Sequence, residues 1–114
     1  MTDRPLVAVT MGDAAGIGPE IIVRALQDPW IFEKCRPFVI GSAAAINAAL
    51  ELIEASGSAH LAHNLDEVEG NHGAIDVLDL ENLNYGDVEY GQVSAASGNA
   101  AAEWVLRAGE LAAA

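Results

Sequence analysis

Nine consecutive residues, Gly12, Asp13, Ala14, Ala15, Gly16, Ile17, Gly18, Pro19 and Glu20, carry the densest chemical signal in the chain. Glycines allow positive φ and let a ligand come close to the backbone, while Pro19 followed by Glu20 marks a helix start whose free N–H groups favour anions. Placed between a buried strand and a helix, such a loop is where an α/β protein holds a phosphate or a dinucleotide. The spacing is neither the G-x-G-x-x-G of dinucleotide folds nor a P-loop, because no Lys follows the glycines. A binding loop and a tight turn without ligand are both compatible with it. Asp13 is expected to close an Asx turn by accepting from nearby backbone, and Glu20 to complement the dipole of the first helical turn rather than serve as a catalytic acid.

The other chemistry-bearing residues form weaker patterns. His60 and His63 are spaced by three, with His72 nine further on and Asp66 nearby, which on a helix would approximate a zinc site. The stretch has no helical stripe, so surface loop histidines are expected and no metal ligand is assigned. Eight carboxylates lie between Asp66 and Glu89: Asp66, Glu67, Glu69, Asp76, Asp79, Glu81, Asp87 and Glu89. Scattered through a polar connection, they read as a solvated face rather than a catalytic pair. Cys35 sits between Lys34 and Arg36, a setting that lowers a thiol pKa, yet no partner base is near in sequence and a structural thiol at a helix end is expected.

Alternating strand and helix signals position these groups. Residues 5–10 are a short apolar run expected to be a strand buried on both faces. A helix is expected from Pro19 to about Asp28, where the following proline breaks it, then a helical turn over 30–35. Phe38, Val39 and Ile40 make a second buried strand. Ser42 is a natural N-cap for a helix over 43–55 carrying Ile46, Leu50 and Ile53 on one face. A strand is expected near 59–63 and a stronger one over 75–80, then a polar connection over 82–91. A last helix begins near residues 94–97 and runs through Trp104, Val105, Leu106 and Leu111, with Trp104, Leu106 and Leu111 expected in the core. Gly98 and Asn99 near its start are candidates for anchoring a phosphate or for close packing. The order implies right-handed βαβ units and an α/β fold with a parallel or mixed sheet and flanking helices. The chain runs out as Glu110, Leu111, Ala112, Ala113, Ala114 without the usual C-cap glycine, and is expected to be cut within or just after that helix.

Composition narrows the partners. The 114 residues hold 17 acidic and 5 basic side chains, a formal charge of −12, with 52% apolar residues. Ample core material excludes a disordered tail, and the few cations disfavour nucleic acid and anionic membranes. A single cysteine excludes an internal disulfide or a thiolate zinc cage within one chain. There is neither a span of about 18 to 20 apolar residues nor a basic-then-apolar leader, so the expectation is a cytoplasmic protein without a membrane partner.

The string VAVTMGDAAGIGPEII, from Val7 to Ile22, resembles the opening of the 4-hydroxythreonine-4-phosphate dehydrogenase family and its relatives acting on 4-phosphorylated threonate and erythronate. Arg36-Pro-Phe-Val-Ile-Gly41 and the segment from Gly91 through Ser97, Gly98 and Asn99 to Ala101 are similar to further family motifs. One departure is visible: Ala14 stands where the family carries proline, a change worth about 0.4 to 1 kcal/mol through chain entropy where the native φ suits proline.

The resemblance implies an NAD- or NADP-dependent oxidation, with decarboxylation for the hydroxythreonine substrate, of a 4-phosphorylated hydroxy acid in pyridoxal phosphate biosynthesis. It also implies a divalent metal such as Zn, Mg or Co, and a homodimer with the active site in an interface cleft. Residues 1–114 would be the N-terminal portion of a dehydrogenase domain similar in fold to isocitrate and isopropylmalate dehydrogenases, with metal ligands and catalytic residues outside this chain. Gly12, Asp13, Gly16, Ile17 and Gly18 would then be cleft or cofactor-loop residues. This portion alone is expected to expose apolar strand edges and a helix face, to melt with poor cooperativity and to show no dehydrogenase turnover. The competing reading is a small non-catalytic α/β module that binds an anion or a partner through the same loop.

Overall fold

The structure is a computed structural model that describes residues 4–88 and 94–113. Four parallel strands, β1 (Leu6–Thr10), β2 (Arg36–Ile40), β3 (Ser58–Ala62) and β4 (Ala74–Leu78), lie in the order β1-β2-β4-β3. Between them run α1 (Gly18–Ala25), α2 (Pro29–Lys34) and α3 (Ala43–Leu52), and α4 (Ala95–Ala113) follows the sheet. The expected α/β order is thus present, with a wholly parallel sheet.

Local chemistry accounts for the helix starts. Pro19 occupies the first turn of α1 beside Glu20. Asp28 caps α2 by accepting the amide of Trp30 at 2.9 Å, with Pro29 in the first turn. Ser42 caps α3 through the amide of Ala45 at 3.2 Å, as its type and position imply. Helix α1 ends at Ala25, three residues short of the expected break, because Leu26 and Gln27 form a turn before the Asp28 cap.

The core lies on both faces of the two inner strands, where Phe38, Val39, Ile40, Ile75, Val77 and Leu78 are buried. Helices α1 and α3 pack on each other, while α4 crosses β1 and β2. The expectation that β1 is buried on both faces fails: Val7 is 42% exposed and Ala8 is exposed too. Its reason is position, since β1 is an edge strand and only β2 pairs with it among the described residues. Trp104 is fully buried on α4, but Leu106, expected beside it, is 67% exposed. Two residues along a helix turn the side chain about 200° from the buried face. Leu111 is half-buried. Residues 91–93, the start of one family-like motif, lie outside the described residues, as does Glu89.

Candidate functional site at the carboxyl ends of the strands

In open parallel sheets, ligands bind beyond the carboxyl ends of the strands. Here those ends are laced together by two backbone hydrogen bonds and one to the Asp79 carboxylate. Met11 donates its amide to the carbonyl of Ile40 at 3.1 Å, Gly41 to that of Leu78 at 3.2 Å, and Asp79 accepts the amide of Ala43 at 2.9 Å. Met11, directly after β1, is almost wholly buried and packs where two glycines leave room. A Cβ on Gly41 would lie 2.7 Å from the Met11 Cβ, and one on Gly18 would lie 2.3 Å from the Met11 carbonyl oxygen.

From Met11 the chain turns through Gly12 at φ +76°. Asp13 then closes the expected Asx turn: its Oδ1 accepts the amide of Ala15 at 2.8 Å, and its carbonyl accepts that of Gly16 at 2.9 Å. Two amides of the loop are therefore spent within it. Ala14, in the position the family gives to proline, is buried with Ala15. Ile17 is the N-cap residue of α1 and supplies no side-chain acceptor. The first-turn N–H groups of Gly18 and Glu20 consequently have no side-chain cap. Glu20 pairs with Arg24 one turn on, at 3.8 Å, in keeping with its expected first-turn role.

Beside this loop, between α1 and α3, is a concavity of about 270 Å³. Of the five loop residues singled out from the sequence only Gly16 lines it, together with Ala14, Pro19, Glu20, Ala45, Leu52 and Tyr85. Gly12, Asp13, Ile17 and Gly18 build the turn around it without facing it. No Lys or Arg lines the concavity and the acidic Glu20 does, so its otherwise apolar lining suits an uncharged group, with only the uncapped amides of α1 nearby to attract an anion.

A second cluster lies at the far edge of the sheet, and here the sequence expectation needs correction. His60 is not a loop residue. It sits on β3 directly opposite Asp76 of β4, its Nδ1 is 2.6 Å from Asp76 Oδ1, and Asp76 is only 2% exposed. Asp76 thus leaves the solvated face assigned to the carboxylates, and its other oxygen accepts the amide of Gly70 at 2.9 Å. His60 Nε2 lies 3.4 Å from Glu69 Oε1. The hydrogen bond that His60 donates to Asp76, with further attraction from Glu69 and Glu67, raises the His60 pKa from 6.5 against a smaller opposing effect of burial. His63 and His72 are exposed as expected. His63 bonds Glu67 at 3.1 Å, which together with its backbone amide lowers the Glu67 pKa, and His72 contacts the carbonyl of Gln27 at 2.7 Å. The three histidines therefore do not meet.

Donor atoms of His60, Glu69 and Asp76 fall within 4.8 Å of one another. The two carboxylates address opposite nitrogens of the His60 ring, and Nδ1 is engaged with Asp76 at 2.6 Å. The thiol of Cys35, at the end of α2, donates to the carbonyl of Ile31 at 3.5 Å, a structural role. Gly98 and Asn99 are exposed on the first turns of α4. No helix among the described residues is long and apolar enough to cross a membrane.

No family model matches the chain. The 4-hydroxythreonine-4-phosphate dehydrogenase of Trichlorobacter lovleyi is 42% identical over 117 residues, which cover 96% of this chain and 33% of that protein. A crystal structure of the 4-hydroxythreonine-4-phosphate dehydrogenase from Burkholderia phymatum matches 97% of this chain and 33% of that one, with a TM-score of 0.92 and 35% identity. The corresponding Klebsiella pneumoniae structure matches with a TM-score of 0.85 and 29% identity, over 97% of this chain and 34% of that one. The chain spans about a third of the length of the curated relatives it matches. Over that third, in sequence and in fold, it belongs to the 4-hydroxythreonine-4-phosphate dehydrogenase family.

Proposed function

We propose that the chain is the N-terminal portion of a dehydrogenase domain that oxidises a 4-phosphorylated hydroxy acid, such as 4-phosphohydroxy-L-threonine, with NAD or NADP. Decarboxylation would follow, and the pathway would be pyridoxal phosphate biosynthesis in the cytoplasm. The observation that carries this reading is the match to the Burkholderia phymatum enzyme, which places nearly every described element of this chain on a solved dehydrogenase. A homodimer and a small phosphorylated substrate belong to the same proposal.

Within it, the loop over residues 12–18 shapes the cofactor cleft, with Ala14 and Gly16 at its lining. NAD fits the residues present in part: the uncapped amides at the start of α1 can meet an anionic group, and the apolar concavity beside Gly16 can take an uncharged ring. When bound, the dinucleotide supplies the hydride acceptor. The contribution of this chain is positional. Met11, clamped between Gly18 and Gly41, sets where α1 begins, and the Asp13 turn fixes Gly16 at the mouth of the concavity. A divalent metal such as Zn, Mg or Co belongs to the same proposal, with its ligands outside this chain, and no step is assigned to it through His60, Glu69 and Asp76.

The test is titration of the chain with NAD, followed by amide shifts at residues 12–20, beside a turnover assay of the full-length protein with 4-phosphohydroxythreonine and 4-phosphothreonate. Saturable shifts confined to Gly16, Gly18 and Glu20 are expected, together with NAD reduction by the full-length protein. Absence of reduction with either acid would overturn the activity, and shifts spread elsewhere would overturn the role of the loop.

A further inference from the structure

His60 stands between two carboxylates. Its Nδ1 is 2.6 Å from Asp76 Oδ1 and its Nε2 is 3.4 Å from Glu69 Oε1. An ionised carboxylate only accepts hydrogen bonds, so both contacts are attractive together only when both ring nitrogens carry protons, which is the imidazolium. That cation ties three segments: β3 through His60, β4 through Asp76, and the turn ahead of β4 through Glu69. The next residue of that turn, Gly70, is bonded to the second oxygen of Asp76 and is held at φ +69° against the Arg36 side chain.

The charged groups around the ring are acidic. Glu67 adds attraction from the helical turn after β3. The nearby cations are occupied with backbone: Arg4 bonds the carbonyls of Phe32, Cys35 and Gly70, and Arg36 bonds that of Arg4. From α3, which packs on β3, the contact is neutral, with Asn47 accepting the amide of Ala59 at 2.9 Å. From β2, Phe38 lies opposite Asp76.

We propose that His60 is a proton-operated strap at the β3 edge of the sheet: its imidazolium holds Glu69 and the turn ahead of β4 against β3, and loss of the Nε2 proton releases Glu69 while Asp76 keeps Nδ1. The strap is remote from the Gly12–Gly18 loop and does not depend on what that loop binds. Releasing Glu69 removes one tie from a turn that Gly70 still holds through Asp76 and Arg4, and His72 through the Gln27 carbonyl, so the backbone around Glu69 and Gly70 opens more readily without unfolding the sheet.

Ring-nitrogen NMR of His60 against pH, read together with hydrogen exchange at Glu69 and Gly70 corrected for intrinsic rates, tests this in the wild-type chain and in Glu69→Gln and His60→Gln. The strap requires a His60 midpoint above 6.5 and an exchange step that coincides with it. Glu69→Gln, an exposed change that leaves the fold intact, should shift the midpoint downward and abolish the step, and His60→Gln should abolish the step as well. A midpoint at or below 6.5, or an exchange step that survives in Glu69→Gln, overturns the proposal.

Discussion

The carbonyl oxygen of Met11 occupies the space that a side chain on Gly18 would need, 2.3 Å from where its Cβ would lie. The contact is with backbone, so it cannot be relieved by a rotamer change. Gly18→Ala should therefore push α1 away from the end of β1 and destabilise the chain by about 1 to 3 kcal/mol, as overpacking does. Gly12→Ala meets no neighbour within 4 Å but must hold φ +76°, and should cost about 1 to 2 kcal/mol. Urea unfolding of both variants checks the pair, and a Gly18→Ala variant as stable as wild type would contradict the geometry.

Asp13 offers a cleaner separation of structure from binding. Removing its acceptor in Asp13→Ala should cost about 0.5 to 1.5 kcal/mol, the usual net worth of one hydrogen bond. Asp13→Asn keeps an oxygen for the Ala15 amide and should recover most of that loss. If Asp13 acts only through the turn, Asn also restores whatever NAD-dependent amide shifts the loop shows. Recovery of stability without recovery of those shifts would instead assign the charge itself to the ligand.

Much of this region was legible in the residues. Pro19 with Glu20 and Ser42 are local signals that act within one helical turn, so they survive any tertiary context, whereas Asp28 before Pro29 was legible as a break and not as the cap of α2. The burial of Asp76 was not legible, because it depends on strand order. A carboxylate in the run AIDVL looks like the solvated face of a strand, until β4 is found between β2 and β3 with His60 in register. The available signal was that an acid inside so apolar a run needs a partner, and SAHLA supplies one. Val7 and Leu106 failed for the related reason that periodicity marks faces without saying which of them will be covered.

Trp104 anchors α4 in two ways, by full burial in the core and by donating its indole N–H to Asn82 Oδ1 of the connection after β4 at 3.1 Å. Trp104→Ala should cost about 3 to 5 kcal/mol, the range for deleting a buried aromatic. Trp104→Phe keeps much of the volume but leaves Asn82 Oδ1 without its donor, adding the desolvation cost of a lost partner to a smaller cavity. Near-ultraviolet circular dichroism and urea midpoints should place Phe between wild type and Ala, and an Ala variant with an unchanged midpoint would mean that α4 is not docked in solution.

The His60 pKa is raised in the folded chain by Asp76 first, then by Glu69 and Glu67. A group raised above its unfolded value of 6.5 contributes fully below that pH, and its contribution is lost as pH rises through the folded value. Thermal midpoints should therefore decline on the alkaline side of 6.5 in wild type, and more shallowly in His60→Gln. Because the ring is partly exposed, the difference should shrink in high salt. Parallel curves for the two proteins would remove His60 from the pH dependence.

The exposed apolar side chains make the last prediction. Val105 is 57% exposed on α4, next to the 67% exposed Leu106, and Val7 is exposed on the edge strand that α4 crosses. Unpaired strand edges and contiguous apolar surface favour association. The chain should therefore self-associate with rising concentration, visible by sedimentation velocity. Val105→Lys with Leu106→Glu should suppress this while changing unfolding free energy by no more than about 0.5 kcal/mol, since neither side chain is in the core. If association persists, the edge strands β1 and β3 and exposed side chains such as Trp30 and Leu52 are left as its source, and a charge at Val7 should then weaken it if β1 takes part.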